Sequence, residues 1–310
     1  MIRIRIAVAV LALGSLTCVL PAIAQQGDAG IAQTVVTVLP KGGEAPALQK
    51  QNLKVKANGK DSTVTSWQSL DGNRGGLEFV VLIDDSARSS LGLHLNDLGK
   101  FIQSLPPSTQ VGIAYMQNGR AAFAQNLTPD HALAAKAIRV TNGVPGGNAS
   151  PYFCLSDLAK NWPSQDRNNR REVLMITDGV DRYNLRYDPD NPYLQAAISD
   201  AQRAGIIVYS IYYRDSGRLD RTGYETNSGQ NLLMQLSQAT GGKLYYQGMS
   251  NPVSILPFLD DLNKRFENQY ELGFTVPTKS KPELVNLKVK TDQSRVSIDA
   301  PERVPVGAAQ

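Results

Sequence analysis

Two short stretches of this 310-residue chain place carboxylates and hydroxyls where a hard cation or a polar ligand could be held. Asp84-Asp85-Ser86-Ala87-Arg88-Ser89-Ser90 follows the apolar run EFVVLI at 78 to 83, and Asp178-Gly179-Val180-Asp181 follows EVLMIT at 172 to 177. Both runs have the length and apolar content of buried strands, and open α/β sheets bind their ligands at the carboxyl ends of such strands. A rival chemistry for the same residues is metal-assisted hydrolysis by Asp84, Asp85 and Asp178. That reaction needs a general base and an oxyanion stabiliser as well, and the sequence offers no further candidate for either. His94, His131 and Cys154 assemble into no nucleophile–base pair and read as structural, Cys154 as a buried small hydrophobe.

The elements that must position these turns are legible as a pattern. Besides the two strands above, QVGIAYM (110 to 116) and IIVYSIYY (206 to 213) are short apolar runs separated by amphipathic stretches, the signature of a parallel sheet covered on both faces. Leu91, Leu95, Leu98, Ile102 and Leu105 make one apolar stripe that predicts a helix, stopped by Pro106-Pro107. Gly205 and Gly241-Gly242 predict helix ends directly before strands, and a last helix is expected from about 252 to 267. Outside this region the text changes. TVVTVLP from Thr34 and NLKVKANGKDSTVTSW read as β structure with a hairpin at Asn58-Gly59, and Val285, Leu287 and Val289 alternate as in a half-buried strand. The expected architecture is α/β: a doubly wound, mostly parallel sheet inserted between flanking β segments that pair into a small sheet or sandwich. The expected boundaries are a signal peptide at 1–24, a flexible arm at 25–33, an N-terminal β segment at 34–76, the α/β domain at 77–268, a C-terminal β segment at 269–303 and an unstructured tail at 304–310.

The ends and the composition restrict function further. Arg3 and Arg5 precede an apolar run from Ile6 to Leu20, and Ala22-Ile23-Ala24 offers a small-x-small cleavage site, which together predict export through a cleaved signal peptide. Ser15 and Thr17 argue against lipidation at Cys18. Without Arg3 and Arg5 the 32 basic residues become 30 against 28 acidic ones, a balance unlike the basic surface of a nucleic-acid binder. Cys154 is then the lone cysteine, and with two histidines in the chain there is no Cys/His zinc cluster. The Asn126 and Asn148 sequons read as chance matches.

FVVLIDDS, the Gly-Gly-Asn at 146 to 148, VLMITDG and LSQATGGKLYY, in this order, resemble a von Willebrand factor type A domain, nearest the related domains of secreted bacterial proteins. The resemblance covers roughly residues 77 to 268 and implies a Rossmann-like fold with a metal ion-dependent adhesion site, a periplasmic or extracellular location and adhesion to a partner. In that family a D-x-S-x-S loop, a Thr and a further Asp hold Mg²⁺ or Mn²⁺. Asp84, Ser86 and Asp178 match; Arg88 stands where the second Ser belongs, and Asn148 or Ser150 where the Thr belongs. Arg88 cannot ligate a cation. Three arrangements follow: Ser89 takes the ligand position through a bulge, Arg88 folds between Asp84 and Asp178 in place of the metal, or the site is inert and Ser86 only caps a helix start.

Two further segments, DRYNLRYDPDNPY (181 to 193) and RDSGRLDRTGYETNSGQ (214 to 230), mix Tyr, Arg and Asn at lengths beyond an ordinary connection. Such residues dominate recognition surfaces, which makes Arg186, Tyr187 and Tyr224 the expected contacts for an unknown protein or peptide partner, or for an envelope or extracellular polymer. The expected function is a non-catalytic, exported binding or adhesion module. A metal-assisted hydrolase and a structural envelope component with a permanent partner are the alternatives.

Overall fold

The computed structural model describes residues 29–42, 48–71, 75–215, 223–277 and 282–307. The signal peptide expected at 1–24 and residues 216–222 of the 214–230 segment lie outside these. The chain opens in β1 (Ala29–Pro40) and continues through β2 (Leu53–Ala57), β3 (Lys60–Ser62) and β4 (Val64–Ser69). β2 and β3 are the hairpin foreseen at Asn58-Gly59, whose φ angles of 48° and 79° are the left-handed pair that a two-residue hairpin needs. Val64 does not belong to that hairpin: β4 crosses to a different sheet.

Next come β5 (Leu77–Asp84), α1 (Leu95–Ser104), β6 (Thr109–Gln117), β7 (Arg120–Thr128), α2 (His131–Lys136), α3 (Pro151–Lys160), β8 (Arg170–Thr177), α4 (Pro192–Ala204), β9 (Ile206–Tyr212), α5 (Tyr224–Ala239), β10 (Leu244–Tyr245) and α6 (Leu256–Glu267). The sheet order is β10-β9-β8-β5-β6-β7, parallel except for β7, which runs antiparallel to β6. Every residue of β5 and β9 is buried, as strands covered on both faces must be. On one face α1, α2 and α6 pack through Leu98, Ala134 and Leu262, and on the other α3, α4 and α5 pack through Leu155, Ile198 and Leu236.

The chain returns as β11 (Gln269–Pro277), β12 (Glu283–Thr291), β13 (Val296–Asp299) and β14 (Arg303–Val306). These pair with the opening strands into two four-stranded sheets, β13-β1-β11-β4 and β14-β12-β2-β3. Val36, Val55, Phe274 and Val285 lie in the core that the two sheets enclose. The insert leaves and re-enters this sandwich through neighbours, since Ser69 at the end of β4 pairs with Tyr270 of β11.

Several expectations need correction. The arm placed at 25–33 is strand from Ala29 onward: Gly30 to Gln33 pair with Val276 to Gly273, because β11, remote in sequence, supplies the ladder. The tail placed at 304–310 contains most of β14, with Val304 and Val306 buried. Pro305 obscured that strand, but a proline is tolerated on the edge of a sheet. β7 was not foreseen because its half-exposed, alanine-bearing text has no apolar alternation. The 214–230 segment is helix from Tyr224, where buried Thr226, Ser228 and Gln230 hide the apolar stripe.

Where the insert meets the sandwich, Glu172 of β8 is fully buried, 3.9 Å from the Arg170 guanidinium. Burial pushes its carboxyl up to about 7 from 4.5, against the pull of the Arg170 and Arg265 charges, and neither of its oxygens has a hydrogen-bond partner among the described residues. A folded-state value above the unfolded one means that Glu172's contribution is fully present below about pH 4.5 and is lost as the pH rises through about 7. Between those values the stability of the natural protein should fall relative to Glu172→Gln by about 3 kcal/mol. Urea melts of both proteins at pH 5 and 8 check this, and a constant difference between them refutes it.

Candidate functional site

The site is built at the carboxyl end of β5, in the middle of the sheet. Asp84 is buried there and four donors reach its carboxylate. Oδ1 accepts from the Ser86 amide at 2.9 Å and the Ser86 hydroxyl at 2.6 Å. Oδ2 accepts from Asn148 Nδ2 and from the Thr177 hydroxyl, both at 2.7 Å. Two carboxylate oxygens have about four lone-pair sites, so the group is saturated from within. Burial pushes the Asp84 carboxyl up; the Ser86 and Thr177 hydrogen bonds oppose that, and the charge of Asp215 adds to it.

Asp85 turns the other way. Arg139 grips it with two bonds of 2.8 and 3.0 Å, while Gln117 Nε2, the Asn142 amide and Asn142 Nδ2 complete its shell. Burial alone would raise this carboxyl, but the hydrogen bonds and charge of Arg139, with those of Asn142 and Gln117, hold it below its ordinary value. It fastens the segment between α2 and α3 to β5 and is not placed to act as a base at Asp84.

Arg88 goes elsewhere than between Asp84 and Asp178. Its Nε donates to the Asp215 carbonyl at 3.1 Å and its amide donates to the Arg214 carbonyl. Among the described residues no ion pair joins it to Asp84 or Asp178. The backbone dictates this, because Ala87 and Asp215 form an antiparallel bridge that turns the loop toward the end of β9. Ser89 begins a 3-10 turn, Ser89–His94, leading into α1. Asp178 is buried and its Oδ1 accepts from the Val180 amide. Helix α5 passes so close that a Cβ on Gly229 would lie 2.0 Å from the Asp178 carbonyl oxygen, so that contact needs glycine.

Three members of the site were not foreseen. Thr177 precedes Asp178 as the last residue of a strand-like apolar run, where nothing in the sequence marks its hydroxyl. Asp215 is buried, accepts from the Gly146 amide and pairs with Arg182 at 2.9 Å. Its signal was its position two residues after the strand-like run at 206 to 213. Arg182 lies within the 181–193 segment, among the Tyr residues that mark it.

Counted along the insert, the sheet reads third-second-first-fourth-fifth-sixth from the β7 edge, its third strand antiparallel. The Asp84-x-Ser86 loop ends the first of these strands and Thr177-Asp178 the fourth. The insert has the von Willebrand factor type A fold. No protein-family model matches the chain, and no curated protein matches it. Solved structures do. An aerotolerance-related membrane protein from Bacteroides fragilis is 14% identical over 62% of this chain and 98% of its own, with a TM-score of 0.45. The pilus adhesin SpaC from Lactobacillus rhamnosus GG is 9% identical over 83% of this chain and 48% of its own, with a TM-score of 0.45. A mussel byssus proximal thread matrix protein with a zinc-occupied metal ion-dependent adhesion site is 13% identical over 68% of this chain and 49% of its own, with a TM-score of 0.44. Likeness at this level says nothing of what this chain binds.

The cation implied by a type A fold can be tested against the atoms present. Asn148 turns its amide nitrogen, a donor, toward Asp84, and its buried Oδ1 has no hydrogen-bond partner. Ser150 Oγ is likewise buried without one. Among the described residues no group of three His, Cys, Asp or Glu side chains gathers as a metal site. A saturated Asp84 faced by an amide donor does not fit a divalent ion.

Arg88→Ser tests this geometry. With Arg88 already directed to Asp215, restoring D-x-S-x-S alone leaves the Asn148 amide in place, and calorimetry should show no saturable Mg²⁺ or Mn²⁺ binding by the natural protein or by Arg88→Ser. Arg88→Ser with Asn148→Thr removes the donor and should bind. Tight binding by the natural protein would overturn this account of the site.

Proposed function

We propose that the chain is a non-catalytic binding module, working outside the cytoplasm, that holds a protein or peptide partner on an aromatic rim beside Asp84. The observation that carries this reading is the rim itself. Tyr183 is 65% and Tyr224 50% exposed, and Leu185 and Tyr187, in the same loop as Tyr183, are exposed as well. Phe153 packs against Tyr193 at 4.8 Å and Tyr183 at 5.1 Å between ring centroids. The Tyr187 amide donates to the Tyr224 hydroxyl at 2.8 Å, which joins the 181–193 loop to the start of α5. Exposed aromatics held in one geometry supply contact area at little entropic cost.

The underlying frame is fixed. Asn191 caps α4 by accepting from the Tyr193 and Leu194 amides and donates to Asp181, while the Tyr152 hydroxyl donates to the Gly179 carbonyl. The absence of catalysis is part of the proposal. It is supported by how the reactive side chains are engaged: His131 Nε2 lies 2.8 Å from the Thr109 carbonyl, His94 packs edge-on to Tyr213, and burial pushes the Cys154 thiol far up. Location outside the cytoplasm rests on the signal-peptide reading. Among the described residues no helix is long and apolar enough to cross a membrane.

The test is capture of a partner by crosslinking in the envelope of the producing cell, with and without chelator, followed by affinity measurement. Tyr183→Ala, Tyr187→Ala and Tyr224→Ala should each weaken binding about tenfold, with Arg186→Ala contributing less, at unchanged melting temperature. Chelator should have no effect. Normal binding by all four variants would place the contact elsewhere.

A further inference from the structure

At the opposite end of the sheet from Asp84, where the amino ends of β8 and β9 meet the sandwich, lies a cavity of about 200 Å³ lined by Arg167, Arg170, Arg171, Arg203 and Arg303. These come from three parts of the chain: the turn into β8, the end of α4, and β14. Two of the five charges have partial internal partners. Arg171 is 3.6 Å from buried Glu78, and Arg170 is 3.9 Å from Glu172, whose raised value leaves it protonated about half the time near neutral pH. Arg167, Arg203 and Arg303 have no ion pair among the described residues, and Glu271 is the one acidic side chain among the described residues lining the cavity.

The electrostatics are therefore unbalanced. Burial and then the charge of Arg167 weigh against the charge of Arg171, while Glu78 and Asp166 favour it. Arg170 and Arg171 have side chains only 8% and 5% exposed; Arg170 Nη1 donates to the Leu70 and Phe266 carbonyls and Arg171 Nη2 to those of Ser164 and Asp166, but neither Nε has a hydrogen-bond acceptor. Like charges brought together with part of their hydration removed cost stability unless a counter-charge joins them. Guanidinium forks match the oxygens of a tetrahedral anion, and a volume below the usual 300–1,000 Å³ of organic-ligand pockets favours a compact one.

We propose that this cavity, formed jointly by the type A insert and the sandwich, is a binding site for a phosphoryl group. The site is independent of the aromatic rim, and it couples the two units, since Arg303 of β14 and Arg203 of α4 face the same ligand. A bound anion would favour the docked arrangement by binding the folded state alone.

Calorimetry at constant ionic strength with inorganic phosphate and with glycerol phosphate tests the proposal. Saturable binding of phosphate is expected, together with a rise in melting temperature. Arg167→Gln with Arg203→Gln should weaken it at least about tenfold, since charge-assisted hydrogen bonds are lost. Both positions are exposed, so the fold is retained. Lys54→Gln with Lys56→Gln removes the same charge from the exposed face of β2 and should leave affinity within about twofold. Equal binding of glycerol phosphate assigns the site to phosphate monoesters, whereas preference for inorganic phosphate assigns it to the free ion. No saturable heat with either anion, or an equal loss in the lysine variant, overturns the proposal.

Discussion

A carboxylate buried at the end of the central strand must be satisfied, and the geometry around it follows from how Asp84 meets that requirement. Neutral donors surround it: the Ser86 amide and hydroxyl, the Asn148 amide and the Thr177 hydroxyl. They come from two loops and a strand end, so one side chain sets the relative positions of the 84–88 turn, the 146–150 turn and the end of β8. The next residue solves the same problem oppositely. Asp85 is held by a cation, Arg139, and thereby ties down the connection between α2 and α3. Two adjacent acids, one turned inward to dipoles and one outward to a charge, organise the whole carboxyl-end face.

The aromatic rim inherits its rigidity from this frame. Asp215 reaches the 146 loop through the Gly146 amide and the 181–193 loop through Arg182, and its carbonyl receives Arg88. The side chain that departs from the family pattern is thus used to join the first loop to the end of β9. In a type A fold that space would serve a metal's coordination shell. Here, among the described residues, the Arg88 hydrogen bond to the Asp215 carbonyl and the Arg182–Asp215 ion pair join the loops.

Much of this was legible in the sequence because strands buried on both faces announce themselves: β5, β6, β8 and β9 are continuous apolar text. So was the site's neighbourhood, since Asp84, Ser86 and Asp178 follow such strands directly. What could not be read depended on partners distant along the chain. Ala29 to Gln33 become strand only because β11 lies beside them, and β14 only because β12 does. The direction of Arg88 was hidden for the same reason. Charge alone sends a guanidinium to the carboxylate nearest in sequence logic, but the Ala87–Asp215 bridge fixes the backbone first and the side chain follows it. The burial of Asp215 rests on Arg182 and Gly146, neither of which any local pattern associates with it.

The pairing of Ser69 with Tyr270 has a mechanical meaning. The two ends of the insert emerge from adjacent strands, about 5 Å apart, and are already joined by the ladder between β4 and β11. Tension applied at the chain's termini therefore loads the sandwich strands and is shunted past the insert, which hangs outside the force path. A pull at the aromatic rim enters from the other side and meets the β4–β11 junction directly. An anchored copy of this chain would keep its contact face folded under stretching of its ends, and its point of yield under a load on the rim would be that junction.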